Sequence, residues 1–454
     1  MYKTLSINGF RGFATEQNLR LALPNGKCGS GLTIVVGANN SGKSTIWEAL
    51  RALSTNSVSF TEGKRNKIAG DKVFLSITDQ YDNKTSVKSV PTGGSETQKS
   101  GDFKCFSVQS RRNFNPFFNK GWIDRDGYMA NMMPFLGQRS TNNNNFSQRL
   151  FEINANVEKR NTFNKDLFWV LGYELDWTID QSDHGEYYLK LIYGNNSHNS
   201  DGAGEGLLSV FTIVDALYDS SQSNIITIDE PELSLHPALQ RRLFDLILRY
   251  SADRQIIIFT HSPFLISWEA VHNGAEFART CKEPDGTKIY QLSDMSKQNI
   301  LKFVNDTHNL RTLGLEANET FFLDDNVVLT EGQEDVFYYK KYFGEKYPEL
   351  NLNFFGWGVG GAKKMSFMTQ ILRDLGYKKV IGILDADKAD VTEELNKTYP
   401  DYMFLTIPAN DVRDKERVAE KVATLGLFSV DGEIKSEHEA KMTSITNNIL
   451  KYIT

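Results

Sequence analysis

Hydrophobic and polar positions change period several times along the chain, and each change predicts an element. Lys3-Thr4-Leu5-Ser6-Ile7 and Leu19-Arg20-Leu21-Ala22-Leu23 alternate at every second residue, the period of a half-buried strand, with residues 9–13 as the turn between them. Residues 32–36 form a continuous apolar run of the kind buried on both faces of a parallel sheet, and residues 45–53 have helical spacing. Residues 72–77 read as a strand, whereas 81–101, polar and rich in Ser, Thr and Gly, read as loop, as does 142–145. Residues 106–112 read as a short strand ending in Arg111 and Arg112, which face either phosphate or solvent. Helical spacing returns over 147–171, strand character over 173–179 and 187–193, and a helix over 207–217. A buried strand at 225–228, a helix at 238–250 and another buried strand at 255–260 follow. After a helical linker at 297–313, a strand at 326–330 leads into a helix reaching Phe343. A glycine-rich turn at 354–361 opens a helix at 362–375, and a strand at 380–384 closes the series. Strands alternating with helices predict an α/β fold with parallel sheets.

Length turns this into more than one domain: 454 residues exceed one ordinary core. The pattern divides as 1–310, with a helical insertion near 110–172 that is a candidate dimerisation element, and 320–454. With 40% hydrophobic and 24% charged residues, no apolar run reaches the ~20 residues of a membrane span, and the start MYKTLSINGF lacks an apolar signal core. The expected setting is cytoplasmic, with no membrane partner. Cys28, Cys105 and Cys281 are odd in number and far apart, so they support neither a disulfide framework nor a zinc site. A net charge of -6 argues against indiscriminate nucleic-acid binding by one monomer but leaves room for a local basic groove.

Candidate chemistry sits at strand ends. Gly37, Gly42, Lys43 and Ser44 satisfy G-x-x-x-x-G-K-[ST], in which loop amides cradle phosphates, the lysine reaches the β/γ-phosphates and the hydroxyl holds Mg²⁺. Asn39 and Asn40 lie within that loop, and Thr45 continues the helix start whose dipole favours an anion. The strand at 225–228 delivers Asp229 and Glu230, placed to hold the Mg²⁺ shell and to polarise the attacking water. The strand at 255–260 delivers His261, a γ-phosphate sensor at the tip of a neighbouring strand. A second glycine turn, Asp201-Gly202-Ala203-Gly204-Glu205-Gly206, precedes a helix. Together these segments resemble the Walker A, signature, Walker B, D-loop (Ser234-Leu235-His236-Pro237) and H-loop (Thr260-His261-Ser262) of ABC-type ATPases, in the RecF/SMC variant. The resemblance implies two subunits paired head to tail over ATP, with Gly204 of one covering nucleotide held by the other. Gln80 and Gln109 are both candidates for the Q-loop.

In the second half, Glu331 ends one strand with Asp335 four residues on, and Asp385-Ala386-Asp387 ends another. Carboxylates clustered from separate strand ends suit Mg²⁺ or Mn²⁺, which would also neutralise their repulsion. Lys363 and Lys364, near the glycine turn, contact backbone phosphate or form a solvated helix face. This half resembles the TOPRIM domain, a Rossmann-like nuclease fold, with Glu331-Gly332 as its glutamate motif and Asp385-Ala386-Asp387 as its D-x-D motif. An ABC/SMC-type P-loop ATPase followed by TOPRIM is similar to the OLD (overcoming lysogenization defect) nucleases. That family places further acids and a lysine after the D-x-D strand, which makes Asp411 and Lys415 candidates. The resemblance implies an ATP-regulated, metal-dependent endonuclease acting on nucleic acid, with DNA favoured. It implies a homodimer or higher assembly and a role in bacterial anti-phage defence, beside a partner such as a retron reverse transcriptase and its RNA/DNA. Two other readings fit the motifs: an ATPase sensor or scaffold that binds nucleic acid or a partner toxin without cutting, and a RecF-like DNA repair ATPase.

Overall fold

The computed structural model describes residues 1–55, 58–60, 63–90, 97–113, 117–132, 140–142, 144–220, 224–304, 325–414, 425–429 and 432–453. They form two compact units, Met1–Gln291 and Leu292–Thr454. The first begins with β1 (Tyr2–Asn8), β2 (Gln17–Arg20), β3 (Leu32–Gly37), α1 (Lys43–Ser54), β4 (Phe74–Asp79), β5 (Lys84–Ser89), β6 (Thr97–Ser100), β7 (Cys105–Val108) and β8 (Arg111–Asn113). It continues with α2 (Arg125–Met132), β9 (Ser140–Asn142), α3 (Asn144–Ala155), α4 (Val157–Leu171), β10 (Asp176–Gln181), β11 (Tyr187–Tyr193), β12 (Asn196–Asn199) and α5 (Glu205–Tyr218). It ends with β13 (Ile225–Asp229), α6 (Pro237–Tyr250), β14 (Ile256–Phe259), α7 (Trp268–Asn273), β15 (Glu276–Glu283) and β16 (Gly286–Gln291).

The central sheet has the order β16-β15-β3-β14-β13-β7 and is parallel except for the antiparallel edge strand β16. Its middle strands are buried on both faces, which explains their unbroken apolar runs. A second sheet, β2-β1-β4-β5-β6, is antiparallel. Residues 45–53 of α1 are buried on every side, because the helix packs Ile46, Trp47, Leu50 and Leu53 into a core shared with Leu5, Leu75 and Ile77 of the second sheet and Val35 and Phe259 of the first.

Three sequence expectations change here. Strands β5 and β6 lie within what reads as loop at 81–101: Thr85 and Val87 are buried while Lys84 and Lys88 are exposed, a one-sided strand hidden by polar composition. Asn144 and Asn145 open α3 rather than a loop. The strand at 106–112 breaks into β7 and β8, and β8 pairs with β9. The helices expected over 147–171 are α3 and α4, the latter capped by the Asn156 side chain accepting from the Lys159 amide at 3.0 Å and ended by Gly172 at φ 81°.

The second unit contains α8 (Asp294–Val304), β17 (Val327–Thr330), α9 (Gln333–Lys346), β18 (Asn353–Phe354), α10 (Met365–Asp374), β19 (Val380–Leu384), α11 (Ala389–Thr398), β20 (Met403–Thr406) and α12 (Ser436–Ile453). Its parallel sheet runs β18-β17-β19-β20, over a core that includes Val328, Tyr339, Phe343, Ile381, Phe428 and Ile449. The division falls at Gln291, earlier than the expected 310, and α8 belongs to this unit for a visible reason. The Asp374 carboxylate accepts from the Ser293 amide and from the Ser293 and Ser296 hydroxyls, capping α8 from the end of α10. Residues 305–313 of the expected linker lie outside the described residues.

Candidate functional site

Strand β14 lies between β3 and β13, so the loops leaving all three open at one edge of the central sheet. Gly37 ends β3 at φ 152°, and a Cβ there would lie 2.4 Å from the Thr280 hydroxyl of β15 and 2.5 Å from its carbonyl. Gly42, at φ 108°, is the N-cap of α1. Lys43 folds back to donate to the carbonyls of Gly37 at 2.8 Å and Ala38 at 3.1 Å. A cavity of about 550 Å³ opens here. It is lined by Asn39, Asn40, Gly42, Lys43, Ser44, Thr45, Asp229, Glu230 and His261, all expected, and by Arg11, Lys282 and Thr287, which the sequence reading did not assign. Gly204 stands outside this cavity as the exposed N-cap of α5. Nearby Gly206 packs on the Ser234 carbonyl, which a Cβ would approach to 2.4 Å.

The site is electrostatically graded. Burial, and then the Lys43 ammonium, hold the His261 imidazole below its ordinary value, against the pull of Glu230, so the ring is neutral near pH 7. Glu230 sits at φ 46°, a left-handed backbone that a non-glycine residue adopts at a cost. Its amide donates to the Phe259 carbonyl at 2.8 Å. Arg112 fixes the other side: one guanidinium nitrogen donates to the carbonyls of Asp229 at 2.7 Å and Glu230 at 3.1 Å, and another to the Ser209 hydroxyl of α5 at 2.6 Å. Burial lowers the Arg112 pKa to about 10, with Asp229, Glu232 and Glu230 opposing the fall. Arg112 is thus half-buried and held by carbonyls and a hydroxyl of its own domain, a role that neither of the two alternatives open at the sequence level describes. Burial raises the Glu232 carboxyl above its usual range, while one of its oxygens accepts the His261 amide at 2.7 Å. Of the two glutamine candidates, Gln109 is buried just beyond β7, beside β13, and Gln80 is exposed beyond β4 on the antiparallel sheet.

The second set of acids lies on the other unit. Glu331 and Asp385 follow the neighbouring strands β17 and β19, and the Asp385 amide donates to a Glu331 carboxylate oxygen at 3.2 Å. Asp335, in the first turn of α9, accepts the Gly332 amide at 2.8 Å. Burial, then the charges of Asp335, Glu331, Asp411 and Asp387, push the Asp385 carboxyl up to about 8. The same carboxylates, Asp387 excepted, add to the burial that raises the Tyr339 hydroxyl beneath them. Asp411 is 8% exposed, and Asp387 is exposed and paired with Lys388. Lys415 lies outside the described residues. Among the described residues, no three His, Cys, Asp or Glu side chains converge closely enough, as they stand, to hold a metal ion. The acids expected as ligands thus share one electrostatic neighbourhood without forming a closed coordination set. Their donor chemistry fits a hard divalent cation, whose charge would relieve the crowding felt by Asp385.

Two family models match the chain. Residues 1–199 match one described as "AAA ATPase domain", and residues 173–267 match one described as "AAA domain, putative AbiEii toxin, Type IV TA system". The first unit carries an AAA-type ATPase domain. No curated protein matches the chain. Solved structures similar to it include the SMC head domain from Thermotoga maritima, at 15% identity over 64% of this chain and 99% of that one, with a TM-score of 0.38. Another is an Smc head domain with an extended coiled coil bound to the C-terminal domain of ScpA, derived from Pyrococcus furiosus, at 13% identity over 67% of this chain and 99% of that one, with a TM-score of 0.43. In the ATPase domain the cavity suits a nucleotide in kind: the loop glycines leave room for phosphates, Lys43 and Lys282 bring positive charge, and Ser44 and Asp229 present oxygens of the type Mg²⁺ takes. Among the described residues, no helix is long and apolar enough to cross a membrane.

Proposed function

We propose that this chain is an ATP-regulated, divalent-metal-dependent nucleic-acid endonuclease, with DNA the favoured substrate, serving as an effector of bacterial anti-phage defence. The observation that carries the reading is the adjacency of Glu331 and Asp385 at the ends of neighbouring parallel strands, with Asp335 and Asp411 in electrostatic reach. Glu331, Asp335, Asp385, Asp387 and Asp411 would hold Mg²⁺ or Mn²⁺, which when bound stabilises the charge developing on phosphorus and activates water. Lys415 is the candidate cation beside them. In the ATPase domain, Lys43 reaches the nucleotide phosphates, Ser44 and Asp229 would hold the accompanying Mg²⁺, Glu230 orients water and His261 senses the γ-phosphate. ATP pairs two ATPase domains, Gly204 of one closing over nucleotide held by its partner, and this pairing controls cutting. The toxin named in the description of the family model over 173–267 fits an effector role, with a reverse transcriptase and its RNA/DNA as a candidate defence partner.

The test is plasmid cleavage with Mg²⁺ or Mn²⁺, with and without ATP. Glu331→Gln and Asp387→Asn should abolish cutting while ATP binding persists. Should both variants cut as well as the parent, the nuclease reading is wrong. A second reading draws on the absence of a converged three-ligand set among the described residues: an ATPase whose C-terminal unit binds nucleic acid or a partner toxin without cleaving. It predicts ATP turnover with no metal-dependent cutting by the parent.

A further inference from the structure

The loop between β18 and α10 is fixed unusually firmly for a segment that carries an exposed indole. Phe355 donates its amide to the Val328 carbonyl at 2.9 Å, Val359 to Thr330 at 2.9 Å, and Gly360 and Gly361 both to Glu331 at 3.0 and 2.9 Å. Gly358, at φ 87°, packs so tightly on Gly332 that a Cβ would lie 2.7 Å from that residue's backbone. The loop is thereby fastened to the very strand end that presents Glu331, and Trp357 stands in the middle of the fastened stretch. Its side chain is nevertheless 39% exposed, with the Lys340 ammonium 5.8 Å from the ring centre. Phe337, one turn before Lys340 on α9 and two residues after Asp335, is 62% exposed.

Single exposed aromatics are ordinary; two of them with a lysine, one anchored by backbone bonds to a carboxylate-bearing strand, are a specific arrangement. A rigid indole loses little conformational freedom when a flat partner stacks on it. The lysine supplies charge for a phosphate next to that partner. Unpaired nucleobases have this combination of a flat face and an adjacent anion, whereas in a duplex the faces are already stacked.

We propose that Trp357, with Phe337 and Lys340, is a stacking platform for an unpaired nucleobase, so that the nucleic acid taken by this unit is single-stranded or locally unpaired where it meets the carboxylates. The proposal deepens the nuclease reading and rests on it for the purpose of the platform, but binding can be measured without cutting. The full chain in Ca²⁺, a hard cation that offsets the carboxylate charge in place of Mg²⁺ or Mn²⁺, is titrated into labelled oligo-dT and oligo-rU of about 20 nucleotides and into a fully paired duplex of equal length, read by fluorescence anisotropy. Trp357→Ala should weaken binding of at least one single strand by about 5- to 150-fold, the range measured for loss of one stacking aromatic, and leave duplex binding unchanged. Whichever strand depends on Trp357 identifies the sugar. Trp357→Leu, which keeps apolar bulk but no π-face, should fail in the same way, and Trp357→Phe should recover part of the loss; a thermal unfolding profile and circular dichroism spectrum matching the parent's show that each variant is folded. Binding of both single strands within about twofold of the parent by Trp357→Leu, or an equal loss on duplex, overturns the platform. Trp357-dependent binding by a parent that cuts nothing in Mg²⁺ or Mn²⁺ would instead remove the nuclease reading and leave the platform standing.

Discussion

Arg112 offers the sharpest test of how the ATPase domain positions its chemistry. Its guanidinium joins the Asp229 and Glu230 carbonyls to Ser209 on the helix that follows the second glycine turn, and Glu230 holds a left-handed backbone at φ 46°. Such a conformation costs on the order of 1–3 kcal/mol and persists only where its surroundings impose it. Removing the fork in Arg112→Ala takes away one of the restraints on Glu230 and leaves two carbonyls without their charged donor, for about 2–4 kcal/mol of lost stability. If the strain at Glu230 is what the fork offsets, the aligned population falls by the same 1–3 kcal/mol, roughly 5- to 150-fold in kcat. Nucleotide affinity should change little, because Lys43, Ser44 and the loop amides are untouched. Arg112→Lys keeps a charge but not the planar fork, so it should fall between parent and Ala. Steady-state ATP hydrolysis separates kcat from KM, calorimetry gives nucleotide affinity, and thermal unfolding confirms the fold. A folded Arg112→Ala enzyme with kcat within about twofold of the parent would refute the reasoning, since the strain at Glu230 would then need no such restraint.

Two further outcomes follow from buried charge. Arg149, fully buried, pairs with Asp215 at 2.9 Å, Glu152 at 2.7 Å and Asp219 between α3 and α5; Arg149→Ala removes the cation all three share, leaving Asp215 to Arg125 and Glu152 to Lys159, and should cost about 1.5–3 kcal/mol in urea unfolding, a loss below about 1 kcal/mol refuting the network's importance. His261 is held below its ordinary pKa of 6.5 by burial and Lys43, so between that value and its lower folded value the unfolded chain binds the extra proton, and stability falls as pH drops through this window. The slope of unfolding free energy against pH below 6.5 should flatten in His261→Asn, and an unchanged slope would show that the ring is not desolvated.

Positions where the chain itself ends a strand are legible in the sequence; positions brought together across the fold are not. Gly37, Lys43, Asp229, Glu230 and His261 were readable because a buried apolar run points at each. Arg112 carries no such sign: two arginines after a short strand look solvated until β7 is paired with β13 and β8 is placed near α5. Arg11 reads as part of a turn, yet at φ 50° it reaches the cavity while pairing at 2.8 Å with Glu48, a buried residue of α1. Lys282 and Thr287 come from the β15–β16 hairpin, whose two-residue turn Pro284-Asp285 followed by Gly286 is a recognisable signal in the sequence. In the second unit, Tyr339 looked like one aromatic among many on α9, and only the fold places its hydroxyl under the acids.

Charge balance distinguishes what each cluster is suited to receive. Around Asp229 and Glu230 stand Lys43 and Lys282 lining the same cavity, with Arg112 bound to their backbone and Arg11 paired with Glu48, so both signs of charge meet there and a polyanion accompanied by a cation is the complementary guest. Around Asp385 the order is reversed: Glu331, Asp335, Asp387 and Asp411 all act to keep its proton on, and nearby cations among the described residues sit at the rim, Lys388 on Asp387 and Arg413 on Glu334. A phosphodiester alone would be repelled there, and positive charge brought by divalent ions converts the repulsion into binding. The platform at Trp357 follows from the same imbalance, for a nucleic acid approaching so acidic a site gains by being held through its bases as well as through its backbone.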